Sequence, residues 1–167
     1  MQTSKLGKQK ISRSMLLILA VAIVLLDQIT KYLISNHMEL GQNIQIFSGF
    51  DLWLVHNSGA AFSFLDNAGG WQRWVLTAIS LVVSVVLCIW LWLLPKQQKL
   101  LAIALSIVLG GAVGNLIDRL LMGYVVDFIS VYYHDFRFAT FNIADAAISI
   151  GAALLVLDIF IGSNANG

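Results

Sequence analysis

The chain is 167 residues long, 59% hydrophobic and only 11% charged, with a mean hydropathy of +0.83. Soluble domains use roughly 45–50% apolar residues, and so few charges cannot cover the surface of a water-solvated protein, so lipid replaces water around most of this one. A net charge of +1 gives no case for nucleic-acid binding, and the single cysteine, Cys88, lies in an apolar run, which leaves neither a disulfide framework nor a thiolate metal site.

Lys5, Lys8, Lys10 and Arg13 precede the first apolar stretch, Met15–Ile34. Such a start resembles a secretory leader, but Ala-x-Ala-like spacing is absent and three more apolar stretches follow, so the segment reads as a retained helix. Late in it, Asp27 has Lys31 one turn on, a favourable i, i+4 pair. Asp27 is either plainly paired there or supports a site. The connection over about 36–73 is β-prone around Phe50–His56, with Gly49 and Asn57-Ser58-Gly59 as turn signals. An amphipathic sheet lying on the membrane surface uses such a pattern.

The second apolar stretch is Trp74–Leu94, with Trp71 and Trp74 at one end and Trp90 and Trp92 at the other, as in interfacial aromatic belts. A tight turn over Pro95–Lys99 leads to the third, Leu100–Ile117. Here Ala102, Ser106, Gly110, Gly114 and Asp118 recur every four residues, a small-residue stripe that lets another helix approach closely. In the connection over about 118–140, Asp127 is flanked by apolar residues in Tyr124–Ile129 and is poorly solvated unless something pairs with it. The fourth stretch, Phe141–Ile161, carries Asn142, Asp145 and Ser149 on one face, continued by Ala153.

All four stretches are close to the roughly 20 residues that cross a bilayer. The Lys and Arg distribution puts both termini and the Pro95–Lys99 turn in the cytoplasm, with the two long connections outside. Of the nine acidic residues, only Asp158 then falls inside. The chain reads as one integral membrane domain, without repeats, low-complexity tracts or separating linkers.

Acidic groups near membrane depth are functional candidates by default. Asp127 and Asp145, at similar depth on the outer side, suggest a carboxylate pair that shares one proton and titrates as a unit. One member can act as general base on water while the other hydrogen-bonds a carbonyl. The amino end of the fourth helix favours the charged form of Asp145. On residue types alone, Asp145 can equally cap its helix, and Asp118 with Arg119 or Arg137 can form an interfacial ion pair. Other chemistries find less support. His37, His56 and His134 are scattered without zinc-ligand spacing, and Ser58 and Ser63 have no evident activating base.

Five blocks of this chain closely resemble the lipoprotein signal peptidases (signal peptidase II): LDQITK at Leu26–Lys31, HNSGAAFSF at His56–Phe64, GGAVGNLIDRL at Gly110–Leu120, GYVVDFI at Gly123–Ile129 and FNIADAAI at Phe141–Ile148. Their order and spacing cover nearly everything after the basic amino-terminal tail. The resemblance implies an all-α membrane protein of four helices with an extracytoplasmic β-cradle and a short surface helix. It implies an aspartic pair, Asp127 and Asp145, supported by Asp27, Asn57, Asn115, Asp118, Arg119 and Asn142. It further implies cleavage of diacylglyceryl-modified prolipoproteins before the lipidated cysteine, inhibition by globomycin, a monomer, and no cofactor or metal. His56 stands where the family often has tyrosine. Two rival readings are a proton-coupled transporter or channel subunit using the aspartates as a relay, which needs acidic groups along a path through the membrane, and a non-catalytic assembly protein using the Gly110–Gly114 face.

Overall fold

The computed structural model describes residues 11–59, 71–134 and 136–164. Uninterrupted apolar runs form four helices: α1 Arg13–His37, α2 Trp71–Leu93, α3 Lys99–Leu121 and α4 Ile143–Asn164. Each contains a stretch long and apolar enough to cross a membrane. The Ser12 hydroxyl accepts the Met15 N–H and caps α1. At the far end of α3, Met122 N–H and Gly123 N–H both return to Asp118 O, and Gly123 takes the positive φ of +86° that closes such a terminus. Asp118 and Arg119 therefore belong to α3 and not to the connection after it.

The central member is α3. Buried residues make up 56% of its apolar window, against 17–22% for the other three helices, and α3 packs against all of them. Its small residues permit this from two sides. A Cβ at Gly110 would lie 2.8 Å from Ala20 O of α1, and one at Gly114 would lie 2.6 Å from the Asp27 carboxylate. At Gly111 a Cβ would run into Ala144 O of α4. Gly110 and Gly114 of the small-residue stripe thus seat α1, and Gly111 beside it seats α4. Trp74 and Trp92 stay exposed at opposite ends of α2, each beneath a guanidinium, that of Arg73 at 5.1 Å and of Arg13 at 4.8 Å.

Both long connections fold into one antiparallel sheet, β1 Asn43–Phe47, β2 Phe50–Asn57, β3 Val125–Tyr133 and β4 Phe136–Phe141, in the order β1-β2-β3-β4. An all-α description is therefore too narrow: the architecture is four apolar helices with a small antiparallel sheet. The short surface helix has no counterpart among the described residues, and residues 60–70, with Ser63 and Gly69-Gly70, lie outside them. Side-chain alternation sets the sheet's position. Leu52, Leu54 and Val126 turn toward Met38 and Ile34 at the end of α1, while Val55 and its cross-strand partner Asp127 take the opposite face.

Gly111→Val should overpack the α3–α4 contact, where the obstacle is backbone and cannot rotate away. The expected loss is about 1–3 kcal/mol, read as a lower melting temperature in detergent. Gly41, with nothing within 4 Å of its would-be Cβ, is the position where added volume costs nothing; its φ of +83° calls for Asn as the control substitution.

Candidate active site

Five elements, β2, α3, β3, β4 and α4, converge where the sheet meets the bundle. Gly123 turns α3 into β3, and the Asp118 carboxylate then accepts the Val126 N–H at 3.2 Å. That bond fixes the start of β3 and, one residue on, the direction of Asp127. β4 runs directly into α4 through Asn142, whose side-chain oxygen accepts the Asp145 N–H at 2.9 Å while Asp145 Oδ2 accepts the Asn142 N–H at 3.2 Å. This is a reciprocal capping arrangement, and it places Asp145 in the first turn of α4. The capping role open to Asp145 on residue type is real, and Asp145 keeps its other oxygen for Asn115.

Asparagine amides join the two carboxylates. Asp127 accepts from Asn57 Nδ2 at 2.9 Å and from Asn142 Nδ2 at 2.7 Å. Asn115 Nδ2 donates to Asp145 Oδ1 at 2.8 Å, and Asn115 Oδ1 accepts from Asn142 at 3.2 Å. Asp127, Asp145, Asn57, Asn115 and Arg119 all line one cavity of about 590 Å³, which continues along α4 past Ile148 and Ser149. Ala153 is exposed and outside it, so the polar face of α4 ends near Ser149. Among the described residues Arg119 makes two long bonds, at 3.5 Å to Ser80 Oγ and to Asn115 O. Burial, and then the neighbouring charge of Asp145, push the Asp127 carboxyl up to about 6, against the pull of its two amide donors.

Beneath this lies a group that the sequence shows only as the i, i+4 partner of Asp27. Lys31 is buried at 3% exposure, with its ammonium 2.8 Å from both Asp27 and Asp118 and 3.1 Å from Asn115 Oδ1. Asp27 also accepts the Ala144 N–H at 2.9 Å, so it both pairs and braces the first turn of α4. Gln28, which sequence reasoning also misses, donates to Asp118 at 2.8 Å. A lysine inside an apolar stretch is the available signal, because a charge there persists only with partners. This pair replaces the Asp118–Arg119 and Asp118–Arg137 pairs that the sequence allows. Arg137 binds Asp51 instead, at 2.9 and 3.0 Å, and also donates to Ser130 Oγ. Burial works to raise Asp51, but the bonds from Arg137 and Asn43 outweigh it and hold the carboxyl below its ordinary value.

The histidines stay apart from the carboxylates' hydrogen-bond network. His37 contacts Leu33 O, and His134 forms the exposed β3–β4 turn with φ of 50°. His56 stacks on Tyr124 at 3.9 Å, a contact that asks only for a flat ring. Among the described residues no group of three or more His, Cys, Asp or Glu is arranged to hold a metal ion. What the arrangement supplies is two carboxylates, amide donors and a guanidinium around one cavity.

Comparison with known proteins adds three findings. Residues 19–161 match the family model described as signal peptidase (SPase) II. A lipoprotein signal peptidase of Alteromonas mediterranea is 54% identical over 136 residues, covering 81% of this chain and 75% of the relative; one of Teredinibacter turnerae is 54% identical over 144 residues, 86% of each. A solved structure described as a bacterial membrane enzyme superposes with a TM-score of 0.85 at 28% identity, covering 95% of both chains, and a second reaches 0.78 at 29% identity, covering 90% of this chain and 96% of the other.

Two outcomes follow from the buried charges. Lys31→Met strands two carboxylates and should cost about 3–5 kcal/mol; adding Asp27→Asn and Asp118→Asn should recover much of the melting temperature. The raised Asp127 value means that its ionised form costs stability above pH 6, a cost absent below the ordinary value of 3.8. Asp127→Asn should therefore melt no lower than wild type at pH 8, with its advantage shrinking toward pH 4.

Proposed function

The chain belongs to the signal peptidase II family, and on that premise we propose that Asp127 and Asp145 form the aspartic pair with which it cleaves. Its reaction is removal of the signal peptide from prolipoproteins, carried out by a multi-pass protein of the bacterial inner membrane. The observation that carries the mechanism is Asn142, which bonds Asp127 through its amide and caps Asp145 through its backbone and side-chain oxygen.

Asp145 is the base and Asp127 the proton holder. Asp145 sits in the first turn of α4 and accepts two N–H donors, whereas Asp127 is the carboxyl that burial and a neighbouring charge lift to about 6. A water between them gives its proton to Asp145 as its oxygen bonds the scissile carbonyl carbon. Asp127 hands its proton to the developing oxyanion. As the tetrahedral intermediate collapses, Asp127 recovers that proton and the C–N bond breaks. Asp145 passes its own proton to the leaving amine, so both carboxyls return to their starting states. Arg119, which lines the cavity and is held among the described residues by two long bonds, is available to the substrate's carbonyl oxygens.

The substrate of this reading is a prolipoprotein whose cysteine already carries diacylglycerol, cut on the amino side of that cysteine. The apolar lining along α4 suits the lipid. Termini in the cytoplasm and a cavity opening to the outer face complete the proposal, with a monomer as the working unit and globomycin as a competitor for the same cavity. The family assignment leaves the relay and assembly readings without support.

Purified wild type should cleave a diacylglyceryl-modified prolipoprotein and keep doing so in EDTA. Asp127→Asn and Asp145→Asn should each fold yet lose roughly 10²–10⁴-fold in kcat; near-normal turnover by either removes the aspartic mechanism. If Asp127 holds the proton, kcat/KM falls as pH rises through about 6. A rise through the same pH would make Asp127 the base.

A further inference from the structure

A second cavity, of about 350 Å³, meets the first at Asp127. The two share Asn57, Asp127, Ala139 and Thr140 and then diverge: the first follows α4 toward its apolar span, and the second follows the sheet to Trp53 and Arg137. On β2 its lining residues are Trp53, Val55 and Asn57, every second residue, as one face of a strand requires. On β4 they are four consecutive residues, Arg137, Phe138, Ala139 and Thr140. The β3–β4 register shifts here, and Phe138 and Ala139 have no partner on β3, so the cavity borders a stretch of β4 main chain that the ladder leaves out. Among the described residues β4 is the terminal strand, paired on one side with β3.

We propose that this second cavity is the subsite for the residues just after the scissile bond, which lie extended and hydrogen-bond to the open margin of β4 as an added strand. The assignment rests on the aspartic reading above. Polarity follows from the two directions. The lipid and the signal segment are the parts of the substrate that stay in the membrane and fit the branch along α4, whereas the mature chain leaves it and fits the branch along the sheet. Arg137 does not select an acidic residue there, because Asp51 already takes its fork and Trp53 stacks beneath it at 4.7 Å. Recognition is therefore by main chain, which accepts varied sequences in one register.

The test uses the intact enzyme and synthetic lipopeptides that carry a diacylglyceryl cysteine and about six residues beyond it, each with one backbone N-methyl group. In an antiparallel pair only every second residue turns its N–H to the neighbouring strand. N-methylation should therefore lower kcat/KM by about five- to tenfold at alternate positions, while alanine replacements at the same positions change it little. Equal cleavage of the whole methylated series would overturn the subsite, and so would a uniform loss without alternation. Binding of the same peptides to Asp145→Asn should alternate in the same way. That series remains readable if the aspartic mechanism fails, so the two failures are told apart.

Discussion

An ammonium group removed from water is the constraint on which the site depends. Lys31 can stay charged inside the bundle only because Asp27 and Asp118 both reach it and Asn115 accepts from it. Each partner then uses what remains of its hydrogen-bonding capacity on another element. Asp27 holds the Ala144 N–H of α4, Asp118 holds Val126 N–H of β3, and Asn115 holds Asp145. One buried cation thereby fixes α1, α3, α4 and the first residues of β3 relative to one another.

The two carboxylates at the cavity are set apart by what surrounds them. Asp145 is part of a helix terminus, with donors that the fold supplies anyway. Asp127 projects from a strand into a setting that penalises its charge and lifts its carboxyl to about 6. Local rules of stability are broken at Asp127 and satisfied a few residues away, which is where a functional group is expected to stand. Asn142 makes the difference usable, since it holds both groups through a single residue whose own position is set by the start of α4.

Much of this architecture is legible in the amino-acid sequence. Hydropathy locates the four helices, because lipid demands long uninterrupted apolar runs, and the small-residue stripe marks α3 as the helix others approach. The Phe50–His56 alternation marks β2. β3 and β4 escape a reading by pattern, although Val125–Tyr133 is rich in β-branched and aromatic residues. β3 is buried on both faces at its start, so alternation, the usual sign, is lost there. Lys31 reads as a partner of Asp27 alone because its second partner, Asp118, is far away in sequence. The role of Asn142 is visible only through the family resemblance, since the amide link to Asp127 joins a strand to a helix cap.

The sheet's strand order carries a consequence for how the protein is made. β2 and β3 lie side by side, yet α2 and α3 separate them along the chain. The central ladder cannot close until both of those helices have entered the bilayer and returned the chain to the sheet. Asp145 comes later still, on α4, which follows the whole sheet along the chain. A nascent chain thus carries Asp127 without the Asp145 that lines the same cavity until α4 has followed, and the cavity is complete only once α1, α3 and α4 have closed around Lys31.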